Sequence, residues 1–185
     1  MSNLIKDLSV IRNKENKFIE RPELIKGYSN NEILEIEQRY NITISGQLKE
    51  WLVTLGKNSG GLLLGGNMTI YRSTAKPTSE YFGKKMQEAW QNEKDCAEFL
   101  RLINHINLVE KQFLLLADDD QVYFYFMLTA DKDDLVYLYY DEEPETIKIL
   151  GTVFDFLKSY RKYEVCCVTG EDDETYYKLT TGRLL

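Results

Sequence analysis

Residues 118–145 hold ten Asp or Glu and a single base, Lys132, a local balance of −9 in a chain whose net charge is −7. Two clusters stand out, Asp118, Asp119 and Asp120, and then Asp141, Glu142 and Glu143. Carboxylates gathered in this way can ligate a hard cation, because Mg²⁺ and Ca²⁺ take several oxygen ligands. A metal-dependent hydrolase would use the 118–120 cluster so. They can equally present a negative face to a cationic protein, which raises association rate and specificity. Consecutive residues of a strand point to opposite faces, so a bare triplet seldom converges on one ion. The EF-hand spacing, alternating carboxylates with a Gly and a distal Glu, is absent. A solvated turn is the ordinary fate of such a triplet, and no metal or other cofactor is expected. The functional reading that survives is an acidic face for a basic protein, set beside plain solubility. The same charge disfavours nucleic acid as a direct ligand, since phosphate contacts need Lys and Arg.

Other residue types that could do chemistry lack partners in the sequence. His105 is the only histidine, so a Ser-His-Asp or Cys-His arrangement would have to use it. It sits near an expected helix end, where a partly exposed structural histidine is the common outcome. Zinc is disfavoured because no Cys-x-x-Cys pair or second histidine exists. Cys166 and Cys167 are adjacent, and in a strand they would face opposite ways, one of them buried as a small apolar group. The Gly60-Gly61 and Gly65-Gly66 pairs are not followed by Lys-Ser or Lys-Thr, so they are turn glycines and not a phosphate loop. The aromatic run of residues 123–126 lacks an interleaved base, and core packing explains it better than base stacking.

The elements that must position the acidic clusters follow from periodicity. Ile33, Ile36, Glu37 and Tyr40 share one side of an expected helix. Leu48, Trp51, Leu52 and Leu55 define a second at i, i+3, i+4 and i+7, with Ser45 as a hydroxyl N-cap and Gly56 as a left-handed C′ residue. Residues 58–61 read as a turn, and 62–64 with 68–71 as a hairpin around Gly65, Gly66 and Asn67. Residues 79–107 carry a helical pattern with a break near 92–95. Residues 113–117, 122–128 and 136–140 are apolar, β-branched or aromatic runs of strand length, with 131–134 connecting two of them. A shorter element is expected at 145–150, then a helix over 152–160 with Thr152 as its cap and Phe156 and Leu157 inward. Residues 164–169 and 175–179 read as a terminal hairpin.

A chain of 185 residues is long enough to bury one sizeable core. No stretch approaches the roughly 20 apolar residues of a membrane span, and no secretory signal is visible at Met1. Three cysteines, Cys96, Cys166 and Cys167, are an odd count without framework spacing. These features together predict a soluble protein of the reducing cytoplasm.

The order of these signals resembles the SUKH superfamily, which holds a yeast cell-wall-synthesis regulator and many bacterial immunity proteins. The residues that carry the resemblance are Ile33 with Glu37 on a first helix, Leu48, Trp51 and Leu52 on a second, and 58–61 before a strand. The later strands and the helix around Phe156 are similar too. Two positions depart from the pattern: Ser45-Gly46 stands where Leu-Pro is usual, and the acidic turn at 118–121 has no Gly. The resemblance implies an α+β fold, a mainly antiparallel sheet flanked by helices. Residues 28–160 would form the SUKH-like domain, 1–27 an N-terminal extension packed on it, and 161–185 a C-terminal hairpin extension. It also implies a non-enzymatic protein that neutralises a bacterial toxin of nuclease type by direct binding. Such a toxin is basic around its nucleic-acid site, which would suit a surface formed by Asp118, Asp119, Asp120, Asp141, Glu142 and Glu143. The alternatives are a regulatory or scaffold protein of the same superfamily and, behind it, a metal-dependent hydrolase.

Overall fold

A computed structural model describes residues 3–12, 20–63, 67–71, 77–78, 80–92, 98, 101, 112–119, 122–143, 147–167 and 182–185. Asp120, Cys96 and His105 lie outside them, as does the expected second strand of the terminal hairpin.

Helix α1 (Asn3–Ser9) buries Leu4 and Leu8, one turn apart, in the main core. Helix α2 (Asn30–Tyr40) starts at a reciprocal cap: the Ser29 hydroxyl accepts from the Glu32 N–H, and the Glu32 carboxylate accepts from the Ser29 N–H. Ile33 and Ile36 face inward as their spacing predicts, and Glu37 Oε1 accepts the Ile44 N–H at 2.7 Å, which pins the following loop.

Helix α3 (Gly46–Leu55) buries Leu48, Trp51, Leu52 and Leu55 on the expected side. Its two ends differ from expectation. Ser45 occupies the N-cap position, but its hydroxyl makes no capping bond. The cap is supplied from 87 residues away, where Asp134 Oδ1 accepts the Gln47 N–H at 2.9 Å. Gly46 has φ +53°, and a Cβ there would fall 2.3 Å from Asp134 Oδ1. At the other end, Gly56 is right-handed, φ −66°, not left-handed. Its glycine is required by space: a Cβ would lie 2.6 Å from the Leu52 oxygen and 2.9 Å from the Tyr28 ring. The chain's last residues press there as well, with the Gly182 N–H donating to the Lys57 oxygen at 2.7 Å.

Four antiparallel strands follow in sequence order, β1 (Phe113–Asp119), β2 (Tyr123–Leu128), β3 (Leu135–Tyr140) and β4 (Ile147–Thr152). Aromatic and β-branched residues favour this pleated, half-buried surface. One face, with Leu114, Leu116, Ala117, Met127 and Val136, packs into the core formed with α1, α2, α3 and the last helix, α5 (Val153–Cys167). The other, with Phe113, Leu115, Phe124, Phe126, Leu128, Tyr137 and Tyr139, packs beneath Met86 of helix α4 (Glu80–Asn92). The fold is therefore α+β with helices on both sides of the sheet, as the sequence indicates.

Gly65 and Gly66, the expected hairpin turn, lie outside the described residues, and the described residues on either side form no strand pair with each other. Leu62 and Leu63 lie in bends, and Met68 bridges to Ala117 of β1. The Thr69 N–H donates to the Leu116 oxygen at 2.9 Å, and the Asp118 N–H to the Asn67 oxygen at 3.0 Å. Covering the edge of β1 satisfies groups that a free edge would expose, and it buries Met68, Ile70 and Tyr71.

Thr152 caps α5 as expected, its hydroxyl accepting from the Asp155 N–H while Asp155 accepts from the Thr152 N–H. The helix then runs through Cys167, so residues 164–167 are helical and not the strand expected from Val165 and its neighbours. Packing overrides local propensity here: Leu157, Arg161, Glu164 and Val165 are buried at helical spacing. Arg161 is fully buried, its Nη2 2.7 Å from Glu20 Oε1 and its Nη1 donating to the Gly61 oxygen at 2.9 Å.

Candidate partner-binding site

The sheet register gathers the acidic residues at one end. Asp119 pairs with Tyr123, and Tyr123 with Tyr140, so the end of β1, the start of β2 and the end of β3 lie side by side. Asp141, Glu142 and Glu143 follow directly from Tyr140.

The same register divides the carboxylates between two faces. A bulge between Leu115 and Ala117 shifts the alternation of β1 by one residue. Asp118 therefore pairs with Phe124 on the α4 face and is nearly buried. Asp119 falls on the α5 face with Tyr123. Asp141 belongs with α4: its Oδ2 forms an ion pair with Lys85, and its Oδ1 accepts from the Tyr139 hydroxyl at 3.4 Å. Glu142 and Glu143 are exposed, and Glu142 accepts a hydrogen bond from the Tyr140 hydroxyl. That bond, more than burial, pushes the Tyr140 phenol well above its ordinary range. Among the described residues no three His, Cys, Asp or Glu side chains converge to hold a metal ion.

Asp119 opens onto a groove that sequence patterning did not reveal. The groove lies between the outer half of the sheet and α5 and encloses about 380 Å³. Tyr123, Tyr125 and Leu138 line it from the sheet, and Phe156, Tyr160 and Tyr163 from the helix. Tyr125 and Phe156 rings lie 5.4 Å apart, and Phe156 and Tyr160 rings 6.0 Å. A second bulge, where Val136 pairs with Gly151 but Tyr137 with Ile149, leaves Leu150 unpaired and lining the groove. Gly151 supplies the required positive φ of 108°.

The polar end of the groove is fixed by Asn67. Its Nδ2 donates to Asp119 Oδ1 at 2.9 Å, and its backbone N–H donates to the Tyr160 hydroxyl at 3.4 Å. Burial pushes the Tyr125 phenol up, and the Asp119 carboxylate adds to the effect. Tyr160 is raised by burial and then by Glu164. Both stay neutral, so the groove offers aromatic faces, hydroxyls and one carboxylate. Phe124 and Phe126 are core residues as expected from the 123–126 run, whereas the alternate residues Tyr123 and Tyr125 are not enclosed by it.

Among the described residues, no helix is long and apolar enough to cross a membrane. A family model described as SMI1-KNR4 cell-wall, SUKH_6, matches residues 30–157. No curated protein and no solved structure matches the chain.

Proposed function

The chain belongs to the SMI1-KNR4 cell-wall family of the SUKH superfamily, and from that premise we propose that it is a non-enzymatic immunity protein that neutralises a basic, nuclease-type toxin by direct binding. The observation that supports this most is the convergence of Asp119, Glu142 and Glu143 at one end of the sheet, within a region of local charge −9. A nuclease carries Lys and Arg around its nucleic-acid site, because phosphate contacts require them. A complementary acidic surface accelerates encounter and excludes like-charged competitors. Occupying that basic site would deny it to substrate without any chemistry by the inhibitor.

A second reading follows from the family's own description, which refers to the cell wall. A regulatory protein of that kind would use the same surface for cellular partners. Co-expression separates the two. Cells carrying inducible nuclease-toxin domains should survive one of them when this chain is present, and the Glu142→Lys, Glu143→Lys variant should protect poorly. Protection against none of the toxins, with cellular regulators bound instead, would favour the regulatory reading.

A further inference from the structure

We propose that the groove between the sheet and α5 is the socket for one arginine side chain of the protein partner, with Asp119 as its counter-ion and tyrosine rings as its walls. This deepens the preceding reading and rests on its basic partner, but it makes a claim about a single site that can fail alone.

The walls suit a guanidinium. This group is planar, weakly hydrated and always charged, so it stacks on aromatic faces while its N–H fork meets a carboxylate. Tyr123, Tyr125, Tyr160 and Tyr163 all line the groove, and the face of an aromatic ring carries the negative potential that attracts a cation. Asp119 supplies the acceptor. One of its oxygens takes the Asn67 amide, which fixes the carboxylate's orientation, and a carboxylate accepts several further hydrogen bonds. The enclosed volume of about 380 Å³ lies at the small end of the usual ligand range of about 300–1,000 Å³, fitting a side chain better than a large ligand.

The rim points to a protein as the source of that side chain. Tyr163 is 60 % exposed, Tyr123 39 % and Leu150 37 %, an apolar and aromatic border that a partner surface would cover. Arg and aromatic anchors set in such pockets dominate the energetics of interfaces. Charge sets the direction of entry. Glu142 is bonded to Tyr140, which stacks on Tyr123, so carboxylates flank the Asp119 end. Lys148 stands opposite Leu138 on the outer strand and is exposed, so the cation belongs at the Asp119 end and not there.

The test is an NMR titration of the full chain with N-acetyl-argininamide, run beside its neutral isostere N-acetyl-citrullinamide. Saturable shifts confined to Tyr123, Tyr125, Asp119, Tyr160 and Tyr163, with arginine alone, are expected. Asp119→Asn keeps an acceptor for Asn67 but removes the charge, and it should weaken the arginine probe by about tenfold. Tyr163→Ala, at an exposed position, should weaken it without disturbing spectra of the core. Equal responses to both probes, shifts elsewhere, or no saturation would overturn the socket. Such a result, with partner binding still sensitive to Glu142→Lys and Glu143→Lys, would remove the socket and leave the acidic-surface reading standing.

Discussion

Tyr123 and Tyr140 lie ring on ring across β2 and β3, with centroids 4.7 Å apart and planes 7° from parallel. The pair joins the two halves of the acidic end. Tyr123 is in register with Asp119 on one side, and the Tyr140 hydroxyl donates to Glu142 on the other. A partner that covers this stack therefore meets carboxylates from both strand ends.

Charge reversal should discriminate among the carboxylates. Asp141 is held by Lys85 and Asp118 is nearly buried, so changing either would report on stability. Glu142→Lys with Glu143→Lys leaves those contacts intact. This double variant should slow association with a basic partner by about tenfold at low salt and flatten the salt dependence, with a smaller effect on dissociation. Stopped-flow association rates at several ionic strengths would measure both. An unchanged rate would exclude these two residues from the binding surface.

The acid limb of stability should depend on Glu32. The hydrogen bond from Lys57, followed by those from the Ser29 N–H and hydroxyl, lowers its pKa from 4.5 to about 2. A carboxylate depressed in the folded state stabilises above its unfolded pKa, and that contribution is lost as pH falls through the folded value. Thermal midpoints of the native chain should therefore drop as pH falls from about 4.5 towards 2, beyond the loss shown by Glu32→Gln. Parallel curves for the two proteins would show that this cap contributes nothing to the acid response.

Arg161 should be among the residues least tolerant of truncation. It is fully buried between Glu20, the Ile11 oxygen and the Gly61 oxygen, and so ties α5 to the N-terminal segment. Burial lowers its pKa, and Glu20 and Glu164 oppose that shift. Arg161→Ala leaves buried acceptors without their donor and should cost about 3–5 kcal/mol. Urea unfolding would read the loss as a lower midpoint. A change within error would mean that the Glu20 side chain relaxes to water.

The core strands were legible because β1, β2 and β3 are apolar runs bounded by acidic turns, a pattern that burial on both faces imposes. The inward sides of α2 and α3 were legible from helical spacing. The bulges were not, since a single extra residue at Leu115–Ala117 leaves composition unchanged yet decides that Asp119, and not Asp118, lies on the α5 face. The groove was hidden for a related reason. Tyr123 and Tyr160 come to line one groove only through the packing of α5 on the sheet, and Tyr123 and Tyr125 alternate with true core aromatics. The α3 cap was equally invisible, because its acceptor, Asp134, lies beyond any local motif.

That cap gives a further prediction. Asp134 Oδ1 accepts from the Gln47 N–H, while the Asp134 carbonyl accepts from the Val153 N–H, so one residue joins α3, β3 and α5. Asp134→Ala should destabilise by about 1 kcal/mol or more, the usual worth of an N-cap. Ser45→Ala, which removes a hydroxyl without a capping bond, should be near neutral. Unfolding midpoints of the two variants should differ accordingly; the reverse order would place the cap at Ser45.

The most direct test of the binding account is affinity capture of the tagged chain from its native cells at low and moderate salt. Mass spectrometry would identify what elutes with it, and the Glu142→Lys, Glu143→Lys variant would serve as the comparison. The account predicts one stoichiometric basic protein that is toxic when expressed alone, retained by the native chain and largely lost by the variant. A set of regulators held equally by both, with no toxic protein among them, would contradict it.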